Sequence, residues 1–146
     1  MFNTLDGSVI LLTYKGKILL ITQNNNQLRP TQETWCFISG VKEDSQSFEE
    51  AIVRRVANLT HIELPQVELL SRWVYRERKK YFYRAQLTDK DVNNIFRDEW
   101  QAIDFFTAQE IGKMQLTNLT KIFMEKHKDL FQELSPIQTP SYSTFS

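Results

Sequence analysis

The sequence predicts an α+β domain in which a mixed β-sheet lies between helices. Segments with strand character and segments with helical character are mixed along the chain without strict alternation, which favours this class over a purely parallel α/β fold. The 146 residues suffice for one domain that buries about two-thirds of its unfolded surface. With 41% hydrophobic and 25% charged residues, the composition is that of an ordinary globular protein.

Two strands and a loop open the chain. Residues 8–14 are apolar and β-branched, and residues 18–22 repeat this character after a Lys-Gly-Lys turn signal, so the two segments predict a β-hairpin. Residues 23–33 hold three consecutive asparagines and a proline, which predict a loop. A short apolar strand is predicted at residues 35–38.

The strongest helical signal covers residues 47–59. Ser47 and Glu50 match the S-x-x-E capping box, in which each side chain bonds the backbone N–H of the other residue. Apolar side chains recur at three- and four-residue spacing and give the helix one apolar face: Phe48, Ala51, Ile52, Val56 and Leu59.

The second half of the chain predicts a second hairpin and more helices. Strands at residues 68–75 and 81–87 enclose residues 76–80, RERKK, which predict a charged hairpin tip. Residues 135–146 hold two prolines, many hydroxyl groups and no charge, so we expect a flexible tail. The other predicted elements are a short helix at 88–97, a strand at 100–106, a helix at 107–113 and a helix at 118–134.

The segment WCFISGVKEDSQSFEEAIVRRVANLTHI resembles the Nudix box of the Nudix (MutT-like) hydrolase superfamily, G-x5-E-x7-R-E-U-x-E-E-x-G-U, where U is aliphatic. With the first glycine placed on Gly40, Arg54, Val56 and Ile62 match the box. The flanking segments GSVILLTYKGKILLITQ and DEWQAIDFFTAQEIGKM resemble the opening strands and the late acidic segment of the family. The resemblance covers roughly residues 5–131.

The resemblance implies the α/β/α Nudix sandwich, with a single domain at residues 1–134, and it implies metal-dependent hydrolysis of nucleoside-diphosphate compounds. Magnesium or manganese would be the cofactor of an active enzyme, and magnesium is usually fixed by carboxylates. In this chain four acidic positions of the box have changed. They now carry Gln46, Arg55, Asn58 and Leu59.

These replacements remove ligands from the box helix. Leu59 offers no oxygen atom, Asn58 offers one neutral carbonyl, and Arg55 brings a positive charge. Two like charges about 4 Å apart repel by roughly 1 to 4 kcal/mol. We therefore expect that the usual metal site is absent, and that nucleotide or phosphate binding without efficient hydrolysis is the leading function.

Two glutamates are candidate catalytic residues if hydrolysis survives. Glu43 follows Gly40 in the box loop, and Glu99 resembles the downstream acidic residue that some members of the family recruit to metal or water. The alternative interpretation is that both are solvated loop carboxylates. Arg54 orients a carboxylate in the family, and we expect it to pair with Glu50 in this chain.

The candidate ligand-binding residues lie in the box and in the hairpin tip. Arg55 could bind phosphate bidentately, or it could be an ordinary exposed helix arginine. Residues 72–84, RWVYRERKKYFYR, could bind a nucleotide or RNA through basic and aromatic side chains, or they could bury the aromatics and expose a solvated tip. The full candidate set is Gly40, Arg54, Arg55, Asn58, Arg76 and Arg78.

Composition bounds the remaining hypotheses. The net charge is zero, so a nucleic-acid or membrane partner would need a local patch. The lone Cys36 excludes an internal disulfide, and no signal peptide or membrane-spanning segment is recognisable, so we expect a cytoplasmic protein without a membrane partner. Besides the binding protein and the active hydrolase, a third hypothesis is an interaction module, with a homodimer as one form.

Overall fold

The computed structural model describes residues 6–22, 34–97 and 101–133, and within these ranges the chain forms seven strands and five helices. The strands are β1 (Gly7–Tyr14), β2 (Lys17–Thr22), β3 (Trp35–Cys36), β4 (Ile38–Val41), β5 (Glu68–Tyr75), β6 (Arg78–Gln86) and β7 (Ile103–Phe106). The helices are α1 (Phe48–Thr60), α2 (Asp89–Asn93), α3 (Ala108–Ile111), α4 (Asn118–Lys126) and α5 (Lys128–Glu133).

Strand β1 is the centre of a mixed sheet. It pairs in parallel with β6 along one edge, and on its other edge it pairs antiparallel with β2 near its end and with β4 near its start. Strands β7 and β5 continue the sheet beyond β2 and β6. The predicted first hairpin is confirmed, and Lys15 and Gly16 close it with positive φ angles of 50° and 78°, as a type I′ turn requires.

Helices cover both faces of the sheet, so the predicted α/β/α arrangement with a mixed sheet is confirmed. Alternate strand residues face opposite sides, and they form two separate apolar clusters. Helix α1 closes one cluster with Ile52 and Val56 against Ile10, Leu12, Leu19, Ile21, Ile38 and Tyr83. Helices α3, α4 and α5 close the other with Ile111, Phe123 and Phe131 against Val9, Leu11, Ile18, Leu20, Phe37 and Phe82.

The predicted strand at residues 35–38 is wrong as a single strand. Residues on either side of Phe37 pair with different neighbours, β3 with β2 and β4 with β1. Phe37 donates its backbone N–H to Thr120 Oγ1 at 3.2 Å, outside the sheet ladder. β1 and β2 pair with each other only next to their shared turn. Residues 35–41 therefore pair first with β2, as β3, and then with β1, as β4, which extends to Val41.

Two other predicted elements need correction. The hairpin tip predicted at residues 76–80 is only the two-residue turn Arg76–Glu77, because Tyr75 pairs directly with Arg78 and β6 begins there. The helix predicted at 118–134 breaks at His127, whose ring is held by Ser71 Oγ at 2.9 Å and by the Phe123 carbonyl at 2.9 Å. These long-range contacts override the local helical pattern.

The helix predicted at 88–97, the strand predicted at 100–106 and the helix predicted at 107–113 are confirmed with shorter bounds. Thr88 and Thr107 begin α2 and α3 with capping boxes, as the sequence indicates. The loop predicted at 23–33 and the tail predicted at 135–146 lie outside the described residues, so both stay predictions. In the described part of the chain, no helix combines the length and apolar character needed to cross a membrane.

Helix α1 positions the box, and its start is fixed by the predicted capping box. Ser47 Oγ accepts a hydrogen bond from Glu50 N at 3.0 Å, and the Glu50 carboxylate accepts one from Ser47 N at 2.8 Å. At the other end, His61 adopts a left-handed conformation with φ 64° and stacks on Phe96 at 4.7 Å. A local capping box therefore fixes the start of the helix, and stacking on a residue distant in sequence contacts its end.

Replacing Ser47 by alanine should lower the free energy of unfolding by about 1 kcal/mol, because an N-terminal N–H of α1 loses its acceptor. Urea denaturation followed by circular dichroism measures the difference. The matched control is Ser45→Ala, since Ser45 is exposed in the preceding loop and should change stability by less than about 0.5 kcal/mol. Equal effects of the two substitutions would show that the cap does not stabilise the helix.

Candidate functional site

The box lies where β4 passes into α1, and Gly40 sets the distance between the two elements. A Cβ atom on Gly40 would lie 3.0 Å from the Ala51 carbonyl oxygen and 3.0 Å from Arg55 Cβ. Any side chain at this position would therefore require α1 or its side chains to shift by a few tenths of an ångström. Gly40 has a packing role here, and this contact places Arg55 beside the strand backbone.

The start of α1 is also tied to the sheet by polar contacts. Ser8 on β1 donates its hydroxyl to the Phe48 carbonyl at 2.6 Å. Asp6 accepts from Lys42 N with its backbone carbonyl at 3.0 Å and from Lys79 N with its carboxylate at 2.8 Å. Asp6 thereby joins the box loop to the β5–β6 hairpin, a role that no local sequence pattern indicates.

Gln46, at the first changed acidic position, holds the box loop. Its side-chain oxygen accepts a hydrogen bond from Glu43 N at 3.1 Å, and its own N–H donates to the Glu43 carbonyl at 3.0 Å. The Glu43 side chain is exposed, and among the described residues no hydrogen bond or ion pair holds its carboxylate. The loop around Glu43 is ordered by its backbone, and the carboxylate remains open to solvent.

Arg55 lies across the strand that precedes the helix. Its Nε donates to the Ser39 carbonyl at 3.2 Å, while the side chain remains exposed. Burial raises the pKa of the neighbouring Cys36 thiol to about 11, against a lowering effect of the Arg55 charge. Cys36 is therefore a neutral thiol near pH 7, and Arg55 supplies the positive charge at this point of the box.

Arg54 and Asn58 are exposed on α1, whereas Leu59 is partly buried against the core. The expected ion pair between Arg54 and Glu50 is not formed in the described structure. The Glu50 carboxylate instead caps the helix by binding Ser47 N. Two of the candidate binding residues are thus open to a ligand, and the position of Leu59 serves packing.

The described box residues do not fit a divalent metal ion. In the described ranges, no three His, Cys, Asp or Glu side chains come together as metal ligands would. Around Gly40 the chain places Gln46 in a hydrogen bond to the loop and an arginine beside the strand. Glu99 lies outside the described residues, so its position relative to Glu43 stays a prediction.

The hairpin arginines are separate from the box side chains. Arg76 lies in the turn with its guanidinium over the Tyr75 ring at 5.4 Å, and Arg78 begins β6. Both are exposed, and no hydrogen bond or ion pair joins either to a box residue in the described ranges. The structure therefore separates the candidate binding residues into two groups, and Asp6 joins the box loop to the hairpin by accepting one backbone N–H from each.

An aromatic pair that the sequence did not reveal lies between the two groups. Phe48 at the start of α1 stacks on Tyr81 of β6, with ring centroids 3.8 Å apart and planes at 8°. Lys42 Nζ lies 5.6 Å from the Phe48 centroid. Burial, and then the negative charge of Glu49, raises the pKa of Tyr83 on the same strand face. Tyr83 is therefore a neutral phenol near pH 7.

A groove of about 640 Å³ lies at the opposite end of β1 from the box. It is lined by residues from the first hairpin turn, β6 and α5, including Lys15, Arg84 and Leu130. None of the predicted site residues lines it. The candidate site is the exposed surface around the box, where Arg55 and Asn58 occupy two of the positions that are acidic in the signature.

Solved structures similar to this chain share its fold at low sequence identity. A MutT structure from a study of the Aliivibrio salmonicida and Vibrio cholerae proteins is 12% identical, with a TM-score of 0.65 over 88% of this chain and 94% of that one. The NUDIX domain of Shewanella oneidensis NrtR, complexed with ADP ribose, is 15% identical, with a TM-score of 0.64 over 87% and 88%.

A MutT NUDIX hydrolase from Burkholderia pseudomallei is 19% identical, with a TM-score of 0.66 over 83% of this chain and 95% of that chain. No match to this chain is found among curated proteins. The family model of the NUDIX domain matches residues 4–134. That match spans the sheet, the box and the helices on both faces, and the chain therefore belongs to the Nudix family.

Proposed function

We propose that this protein binds a nucleotide or another phosphate-containing ligand at the box without efficient hydrolysis. The observation that carries the proposal is the Arg55 side chain, an exposed cation at a position where the signature has an acid. A divalent metal would be repelled there, whereas a phosphate group would be attracted. The site has kept the framework of the box and reversed the charge at its centre.

The geometry of Arg55 supports phosphate binding. A guanidinium has five N–H donors, and the contact with Ser39 uses the one on Nε. The four donors on the terminal nitrogens are left for a ligand. Arg54 and Asn58 are exposed on the same helix and could add a second cation and an amide. Binding of this kind requires no metal ion.

The similarity to NrtR supports a nucleotide-type ligand. The solved NUDIX domain of that protein is complexed with ADP ribose and shares the fold of this chain. ADP-ribose carries two phosphates and an adenine, so it is a suitable first probe together with nucleoside diphosphates and inorganic pyrophosphate. A homodimer and an RNA partner stay predictions beside this proposal.

The alternative function is an active pyrophosphohydrolase with relocated carboxylates. The exposed, uncommitted carboxylate of Glu43 favours it, and Glu99 would supply the second acid. Such an enzyme needs magnesium or manganese to neutralise the phosphates and to activate water. Its activity would therefore depend on both carboxylates and on the metal ion.

Arg55→Gln should weaken metal-free binding of the phosphate probes roughly 10- to 100-fold, because a hydrogen bond to a charged group contributes about 1.5 to 3 kcal/mol. Isothermal titration calorimetry with ADP-ribose, a nucleoside diphosphate and pyrophosphate, all in the presence of EDTA, measures the change. Lys121→Gln removes an exposed charge from α4 on the opposite face of the sheet and should leave the affinity unchanged.

The binding proposal fails if none of the three probes binds in EDTA, or if Arg55→Gln binds as tightly as the unmodified protein. Because Arg55 is exposed, its replacement should leave the thermal unfolding midpoint nearly unchanged. That midpoint, measured beside the titration, separates a lost contact from a damaged fold.

Returning acids to two exposed positions should create a magnesium site. In the double variant Arg55→Glu with Asn58→Glu, the carboxylates are three residues apart on one helix and can approach one ion. Magnesium at about ten times its dissociation constant should then stabilise the variant by roughly 1.4 kcal/mol. Thermal unfolding with and without magnesium measures this, and the unmodified protein should show no such shift. An equal magnesium-dependent shift of the unfolding midpoint in both proteins would contradict the hypothesis that the box has lost its metal site.

The hydrolase alternative has its own test. If it is correct, magnesium- or manganese-dependent release of phosphate or nucleoside monophosphate from the same probes is abolished by Glu43→Gln and by Glu99→Gln. We expect no metal-dependent turnover in the unmodified protein. Turnover that persists in both variants would exclude these two glutamates as the catalytic pair.

A further inference from the structure

The β5–β6 hairpin concentrates positive charge on a chain that is neutral overall. Residues 72–84 hold six lysines and arginines and one glutamate, while the whole chain has a formal net charge of zero. Local charge of this kind governs association with polyanions even when the net charge does not. The hairpin therefore differs in character from the rest of the surface.

Two of the six cations are engaged within the fold. Arg84 Nε binds the Glu68 carboxylate at 2.8 Å. Lys80 is buried, and burial lowers its pKa while the charge of Asp6 raises it. Arg84 and Lys80 therefore contribute less positive charge to the outer surface of the hairpin than the other four cations.

The remaining four cations are exposed and have no ion pair within the described ranges. They are Arg72, Arg76, Arg78 and Lys79. Glu77, their only acidic neighbour within the hairpin, forms no ion pair with them in the described structure. Exposed cations held on one rigid hairpin can contact a polyanion together and release its counterions.

The register places two of these cations on one sheet face. Val74 lies directly opposite Lys79, and Arg72 lies opposite Tyr81. Residues two apart on a strand share a face, so Arg72, Val74 and Lys79 lie on the face that carries Tyr81 and α1. Val74 is 72% exposed, which shows that this part of the face is uncovered by the described chain.

The hairpin turn is built from residues that are unfavourable in it. Arg76 and Glu77 have φ angles of 53° and 65°, the left-handed conformation that type I′ turns require and that Asn-Gly adopts most easily. Lys15 adopts the same conformation in the first hairpin, and Arg76 is exposed at the tip of this one. Its guanidinium already lies over the Tyr75 ring, so cation and ring are presented together.

We propose that the outer surface of the β5–β6 hairpin binds single-stranded nucleic acid. Arg72 and Lys79 on the uncovered face, and Arg76 and Arg78 at the tip, would contact backbone phosphates of a strand that passes over the turn. Tyr75 pairs with Arg78 and lies on the opposite face from Val74, so its ring would offer a stacking surface for a base at the tip. An uncovered strand face flanked by cations suits an extended strand with accessible bases. The proposal goes beyond phosphate binding at the box, and it uses none of the box residues.

Salt dependence provides the test. Fluorescence anisotropy with an oligouridylate of about 12 nucleotides, and with an oligothymidylate of equal length, covers the usual site size for single strands. With four phosphate contacts, the logarithm of the association constant should fall with the logarithm of salt concentration at a slope of roughly −3. Binding of either oligonucleotide with such a slope supports the proposal, and tighter binding of the uridylate would indicate a contact to the 2′-hydroxyl.

Charge-removing variants locate the surface. Arg72→Gln, Arg78→Gln and Lys79→Gln should each weaken binding and reduce the magnitude of the slope by about 0.7, because each removes one phosphate contact. Lys121→Gln is the matched control and should leave both quantities unchanged.

Three results would overturn the proposal. The first is no binding of either oligonucleotide at about 50 mM salt, where four phosphate contacts should give strong attraction. The second is binding that none of the three hairpin substitutions alters. The third is binding to vesicles that contain anionic phosphatidylserine but to neither oligonucleotide, which would identify a lipid surface as the partner. Failure of Arg55-dependent phosphate binding would not affect this result, since the two tests use different residues.

Discussion

The close approach of α1 to β4 at Gly40 is the contact on which the candidate site depends. A side chain at this position would meet the Ala51 carbonyl and Arg55 Cβ at 3.0 Å, so these neighbours would have to shift by a few tenths of an ångström. Ser8 adds a hydrogen bond from the central strand to the first residue of α1. On the other side of the helix, Ile52 and Val56 pack in the apolar cluster. The contact at Gly40 and this packing together orient the exposed face of the box.

The changed acidic positions have acquired structural contacts within the same framework. Gln46 holds the box loop through Glu43, and Arg55 holds the strand before the helix through the Ser39 carbonyl. Leu59 adds apolar contact to the core. The box thus preserves its shape with a different set of interactions. Arg55 places a positive charge on the exposed face of the box.

Two cationic surfaces of different construction meet at one end of the sheet. The box surface consists of side chains on a helix, whereas the hairpin surface consists of side chains on an uncovered strand pair. Asp6 connects them by accepting backbone N–H groups from Lys42 and Lys79. These bonds use the backbone N–H groups of Lys42 and Lys79, and they fix the relative position of the box loop and the hairpin.

Local sequence patterns determined the α+β class, the start of α1 at Ser47 and the first hairpin, because capping boxes, turn residues and apolar spacing act over a few residues. The box framework around Gly40 was also readable from the sequence. Only the tertiary structure decided the split of the strand at Phe37 and the helix break at His127, because both depend on partners distant in sequence. The expected Arg54 ion pair is not formed in the described structure for a local reason, since the Glu50 carboxylate binds Ser47 N in the capping box. The link through Asp6 was decided by the tertiary structure alone, because no local pattern records which distant N–H a carboxylate will meet.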